Sequence, residues 1–180
     1  WFQQAANQGH PNSQYAVGYM YAVGVAVRQN VSKAIQWYFA AANQGEMLAQ
    51  TALGRYYEEG IGVRPSRLEA MQWYRLSAEQ GDAFAQQKLG HLLTIGGNGY
   101  DPDLVEAFDW MYRSAQQGDY VAQHLLGRKY RSGQGVEQSY EQAIIWFERS
   151  ALQGYASAQN EVGHLIYAGW GTQQDFAAAA

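Results

Sequence analysis

Apolar residues recur along this chain at helical spacing. Between 48 and 59, Ala49, Leu53 and Tyr57 fall at i, i+4 and i+8, which places them on one face of a helix. Between 66 and 80, Ala70, Trp73, Tyr74 and Ala78 form a second such face. The pattern predicts a short helix over Leu48 to Glu59 and a longer one over Ser66 to Gln80. The turn Gly60-Ile61-Gly62-Val63 ends the first, with glycine at a left-handed cap. Gly81 ends the second and turns the chain back.

The same helical pair repeats. Trp1, Trp37, Trp73, Trp110 and Trp146 stand at intervals of 36, 36, 37 and 36 residues. Each is followed at once by Phe2, Tyr38, Tyr74, Met111 or Phe147. Eight residues after each tryptophan comes Gly9, Gly45, Gly81, Gly118 or Gly154. A second framework consists of Ser13-Gln14, Ala49-Gln50, Ala85-Gln86, Ala122-Gln123 and Ala158-Gln159. Each leads to an aliphatic–glycine pair: Val17-Gly18, Leu53-Gly54, Leu89-Gly90, Leu126-Gly127 or Val162-Gly163. Paired turn glycines follow at Gly60/Gly62, Gly96/Gly99, Gly133/Gly135 and Gly169/Gly171, with Gly24/Ala26 in the first repeat. The third repeat carries one inserted residue, in Gly96-Gly97-Asn98-Gly99. A glycine within a helix costs about 1 kcal/mol relative to alanine. The recurrence of Gly54 and its equivalents therefore requires another helix to approach closely there. Ser32, Ser66 and Ser139 stand where N-caps are expected, and Asp82 and Asp119 suit the positive end of the following helix. One helical pair cannot bury both faces, whereas stacked copies can. The tryptophan rows are accordingly assigned to core packing rather than to a ligand cage.

The unit resembles the Sel-one-like repeat family, relatives of the tetratricopeptide repeat. The resemblance rests on Ala49, Leu53, Gly54, Tyr57, Gly60, Gly62, Val63, Ala70, Trp73, Tyr74, Ala78 and Gly81, with near-matching positions in the other repeats. It implies an all-α fold, a right-handed α/α superhelical solenoid of about five helix-turn-helix repeats. The expected divisions are 1–9 as the end of a preceding repeat, full repeats at 10–45, 46–81, 82–118 and 119–154, and an incomplete repeat at 155–180. The resemblance also implies protein or peptide binding without intrinsic chemistry or cofactor, in bacterial envelope, secreted or signalling proteins. The resemblance favours a periplasmic or secreted location over a cytoplasmic one, and the residues themselves leave the compartment open. Many members carry a cysteine pair in each repeat, and this chain carries none. The chain opens inside a second helix and closes on Asp175-Phe176 and four alanines, with Ala179 in register with Ala143. Further repeats beyond residue 180 are therefore expected.

Composition narrows the function classes. The chain has 180 residues, of which 16% are charged and 14% aromatic, with a net charge of −4. Without cysteine it has no disulfide framework, thiol nucleophile or cysteine-ligated metal site. No apolar run reaches the ~18 residues of a membrane span. The acidic total argues against a generally basic nucleic-acid binder. The Gly-x-Gly turns follow helices, not strands, and recur in repeat after repeat, so they are not phosphate loops. Glu58 and Glu59 are adjacent and diverge by ~100° on a helix, so they do not form a catalytic pair. Asn30-Val31-Ser32 matches the glycosylation pattern, but Ser32 is already assigned to a cap.

Function is then expected at the variable positions of the short helices, on the side that the resemblance makes concave. Relative to the helix glycine these are offsets −6, −3, +1 and +4. Among them the candidate partner-binding residues are Tyr15, Tyr19, Arg55, Glu58, Phe84, His91, His124, Arg128, Arg131, Asn160, His164 and Tyr167. The row directly after the glycine reads Tyr19, Arg55, His91, Arg128, His164 and holds no acid. Glu58 is the one carboxylate in the stripe, while Glu46, Glu79, Asp82 and Asp119 lie at turns. The expected partner is a protein or peptide segment bearing acidic or amide groups, with arginine pairing to its carboxylates and tyrosine stacking on it. The competing reading is a solvated face whose cations only keep the chain soluble. His91, His124 and His164 would make such a groove pH-sensitive. His91 and His164, two repeats and roughly 20 Å apart at ~10 Å per stacked hairpin, cannot share a metal ion. Trp170, outside the tryptophan framework, is expected to pack on a following repeat or to touch a partner. The leading function is a non-enzymatic interaction scaffold or adaptor. The alternatives are an inhibitor or immunity protein binding one-to-one, and an auxiliary repeat region of an enzyme.

Overall fold

The computed structural model describes residues 1–97 and 100–171. The calls on Asn98, Gly99 and the C-terminal alanines, Ala179 included, lie outside these. The described residues form ten helices: α1 Phe2–Asn7, α2 Pro11–Val23, α3 Val31–Ala42, α4 Met47–Glu59, α5 Arg67–Glu79, α6 Ala83–Ile95, α7 Leu104–Gln116, α8 Tyr120–Ser132, α9 Tyr140–Leu152 and α10 Ala156–Ala168. The chain divides into two compact units, Trp1–Ala85 and Gln86–Ala180. Within the first, α1 packs on α2, α2 on α3, α3 on α4 and α4 on α5. Within the second, α7 packs on α8, α8 on α9 and α9 on α10. Within each unit these helices meet their neighbours in sequence, as expected for stacked helical pairs.

Helix starts follow the N-cap chemistry of the sequence, with one correction. The Ser66 hydroxyl accepts from the Glu69 N–H at 3.3 Å, and Ser139 from Gln142 at 3.2 Å. At α3, however, the cap is Asn30, whose side chain accepts from the Lys33 N–H at 2.9 Å. Ser32 lies inside the first turn, where no cap can sit. Asp82 and Asp119 cap α6 and α8, accepting from Ala85 at 3.0 Å and Ala122 at 2.7 Å. Helix ends use the paired glycines. Gly60 closes α4 at φ 73°. In the first repeat Ala26 holds φ 60° where the later turns place glycine, a left-handed conformation that costs a Cβ-bearing residue ~1 kcal/mol or more.

The core lies where second-helix rings meet first-helix glycines. A Cβ added at Gly54 would stand 2.6 Å from Cδ1 of Tyr74, which is fully buried. Gly18 meets Tyr38, Gly90 meets Met111 and Gly127 meets Phe147 in the same way. The tryptophan row packs beside these contacts less deeply than expected. Trp110 and Trp146 are buried, Trp37 and Trp73 are half-buried, and Trp1 is fully exposed. Trp73 packs edge-on against Phe39, and Trp146 against Tyr112, each at 5.7 Å.

A glutamine clamp recurs between helices. The Gln50 amide donates to the Ala42 carbonyl near the end of α3 at 3.2 Å and accepts from Gln80 at 2.7 Å. Gln14 donates to Ala6 and accepts from Gln44, and Gln123 donates to Ala115 and accepts from Gln153. Each clamp adds a side-chain donor to a helix-end carbonyl that also accepts from the turn glycine three residues on.

The close ring contact gives a direct test. Gly54→Ala improves helix propensity but overpacks a buried ring, so it is expected to lower stability by about 1–2 kcal/mol. Urea denaturation checks this. A raised midpoint would show that the contact does not constrain the position.

Candidate functional site

The predicted stripe divides into two kinds of position, and helical geometry explains why. At 100° per residue, offsets −3 and +4 lie about 60° and 40° from the helix glycine, whereas +1 and −6 lie about 100° and 120° away. The glycine faces the packed second helix, so the nearer offsets sink into the interface. At −3, Tyr15 and Thr51 are half-buried and His124 is buried. At +4, Glu58 and Arg131 are half-buried. At +1, Tyr19, Arg55, Arg128 and His164 are exposed and His91 is half-buried. The expectation that all four offsets face solvent is thus corrected for most of two rows. Asn160 and Tyr167, on α10, are exposed.

In the first unit the stripe is largely aromatic. Tyr15 packs on Tyr38 at 5.8 Å between ring centroids, and Phe84 lies edge-on to Tyr74 at 6.4 Å. The Arg55 guanidinium lies 6.0 Å from the Tyr56 ring. Tyr74 donates its hydroxyl to Glu58 at 2.7 Å, so that carboxylate serves as an acceptor for the core tyrosine. Burial, followed by this carboxylate, pushes the Tyr74 phenol well above its ordinary range.

In the second unit, His124, Arg128, Arg131, Asn160, Glu161 and His164 line a cavity of about 500 Å³. Arg131 forms an ion pair with Glu161. Glu161 lies outside the predicted stripe and adds a carboxylate beside it in this unit. Glu161 stands at offset −2, about 160° from its glycine, and so reaches back to the +4 residue of the preceding first helix. A stripe drawn on one helix omits it, because the pairing joins opposite edges of two helices. His124 sits between Phe147 at 5.6 Å and Tyr155 at 5.2 Å. Burial, reinforced by Arg128, holds its imidazolium below the usual histidine range. Trp170 turns back onto Tyr140 at 5.2 Å and His164 at 5.9 Å.

The stripe also missed Lys129. It is buried at 3% exposure, and its Nζ has no hydrogen-bond partner among the described residues. Desolvation lowers its ammonium below the usual lysine range. The signal was available in the register. Two residues after the helix glycine the other repeats place Met20, Tyr56, Leu92 and Leu165. Lysine in that apolar row is a departure from pattern.

A model of the Sel1 repeat matches residues 1–10, 11–46, 48–82, 83–119, 121–155 and 156–180. The chain belongs to the Sel1 repeat family. That family consists of protein–protein interaction scaffolds that are generally non-catalytic. Comparison with curated proteins gave no match. Among solved structures, the chain is similar to a protective antigen of uropathogenic Escherichia coli that displays an SLR fold. The identity is 36% and the TM-score 0.93, over 99% of this chain and 38% of that one. It is also similar to a Sel1 repeat protein from Oxalobacter formigenes, at 35% identity and TM-score 0.89, over 96% of this chain and 70% of that one. An immunity protein from Pseudomonas aeruginosa shares the fold at 19% identity and TM-score 0.55, over 94% of this chain and 62% of that one. The chain thus spans just over a third of the E. coli protein. Among the described residues no helix is long and apolar enough to cross a membrane, and no group of three or more His, Asp or Glu side chains converges to hold a metal.

Two expected outcomes follow for this Sel1 repeat chain. Lys129→Met removes an unpaired buried ammonium and restores the residue type of Met20, so it is expected to stabilise the fold by about 1–3 kcal/mol. A lower urea midpoint for the variant would contradict this. For His124, the folded state binds fewer protons than the unfolded state between its depressed value and ~6.5. Its contribution to stability is therefore complete above ~6.5 and is lost as pH falls through the folded value. His124→Gln should reduce the drop in urea midpoint between pH 7.5 and pH 5. An unchanged drop would show that His124 titrates alike in both states.

Proposed function

We propose that this chain is a non-enzymatic interaction module that binds a segment of a partner protein along the exposed first-helix faces of its repeats. The observation that supports this is the +1 row. Tyr19 and Arg55 in the first unit, and Arg128 and His164 in the second, are exposed although they stand beside a framework that is otherwise buried. Arginine and tyrosine are the side chains that most often anchor protein interfaces. In the second unit, Arg128 and His164 border the cavity of about 500 Å³, which gives a partner side chain somewhere to enter. The partner chemistry that fits is an acidic or amide-bearing segment, with Arg128 and Arg55 pairing to its carboxylates. Arg131 is partly committed to Glu161 and contributes less net charge than its position in the stripe suggests. An adaptor role in a bacterial envelope, secreted or signalling setting agrees with this chemistry. The likeness to the immunity protein is one of fold and brings no partner with it.

The test is affinity capture with the chain as bait, repeated with Arg55→Glu and Arg128→Glu. Both residues are exposed, so the variants are expected to retain their helical circular dichroism and thermal midpoint. Capture of the partner is expected to fall at least tenfold, and the wild-type interaction to weaken with salt. Undiminished capture by the double variant at low salt would overturn the groove reading.

A further inference from the structure

Within the second unit, residues of α6, α7 and α8 enclose a cavity of about 250 Å³. One pair of register positions in its lining departs from those at two other junctions. The side chain two residues after a helix glycine stands near the second-helix side chain that follows the framework tryptophan. In the first unit these are Tyr56 and Tyr38, edge to face at 5.6 Å. Between α9 and α10 they are Leu165 and Phe147, in one buried cluster. At the cavity they are Lys129 and Met111. Two unbranched chains stand where those two junctions hold two rings or a ring and a branched aliphatic.

The walls combine an apolar lining with cations. Ile95, Met111 and Leu125 form the apolar part, and His91, Arg128 and Lys129 are among the polar residues, with no carboxylate in the lining. Arg131 also lines this cavity, and its ion-pair partner Glu161 lines the other one. A buried ammonium without an acceptor is a costly arrangement that a single anion would relieve. Lys129 is part of the wall, and the flexible four-carbon stem of a lysine lets its head turn. We propose that this cavity is a subsite for one carboxylate-bearing side chain of the partner segment, with Lys129 turning onto the carboxylate and exposed Arg128 guiding it in. The buried Lys129 ammonium carries a single charge, which one carboxylate matches. The apolar walls suit the short aliphatic stem of glutamate. The subsite rests on the interaction-module reading for its natural occupant, but its chemistry can be tested without the partner.

The chain holds three lysines, Lys33, Lys88 and Lys129, so labelling lysine at Cε gives a spectrum in which each is resolved. The full chain is titrated at pH 7 with N-acetylglutamate methylamide, with its glutamine counterpart, and with inorganic phosphate at matched ionic strength. The expected result is a saturable shift of the Lys129 signal, at least about tenfold tighter for the glutamate derivative than for the glutamine one. A parallel titration of Lys129→Met, followed at the backbone amides of α8, is expected to show no saturable response. No saturable Lys129 shift, equal response to both derivatives, tighter binding of phosphate, or unchanged binding by Lys129→Met would each overturn the subsite. Because these probes are small molecules, failure here leaves the capture result standing. Loss of capture specificity would likewise leave this titration intact.

Discussion

In each of four repeats a second-helix side chain lies against the glycine of a first helix, and a Cβ at that glycine would overlap it. This contact sets how closely the paired helices approach, and the other packing depends on that spacing. Tyr74 can lie flat on Gly54 only because no side chain intervenes, and its hydroxyl then reaches Glu58 one turn further along α4. The glutamine clamps operate at the same short helix–helix distance. A Gln50 amide that must reach both the Ala42 carbonyl and the Gln80 amide does not tolerate a wider spacing. Steric fit and hydrogen-bond satisfaction therefore select the same geometry, as expected of a foldable repeat.

That geometry also decides which variable residues are available for binding. With the glycine direction buried, a first helix exposes only positions roughly a quarter-turn or more away from it. The +1 residues meet this condition and the −3 residues largely do not. His124 illustrates the consequence. It stands in the predicted stripe, yet it packs between Phe147 and Tyr155, and burial lowers its pKa below the usual histidine range. Neighbouring helices modify the charge as well. Arg131 meets Glu161 across a helix–helix boundary, so the local field in that unit centres on Arg128 more than a count of cations suggests.

Lys129 shows how a repeat framework can carry an exception. Most single departures from an apolar row destabilise, and repeat proteins tolerate them because the cost is confined to one junction. Here the departure coincides with Met111, the one non-aromatic residue among the five that follow the framework tryptophans. The two together border a cavity whose lining mixes apolar and cationic side chains.

The repeat period, the two-helix unit, the glycine contacts and the glycine-closed turns were all legible in the sequence. They depend on interactions within one unit or between identical units, and periodicity reports these directly. The caps were mostly legible too, and failed only where Asn30 competed with Ser32 across two residues, which helix spacing cannot separate. The division of the stripe into buried and exposed rows, the Arg131–Glu161 pair and the isolation of the Lys129 ammonium were decided by tertiary structure. Each depends on which side of one helix meets which side of the next. That relation joins residues about thirty positions apart, and no single-helix pattern contains it.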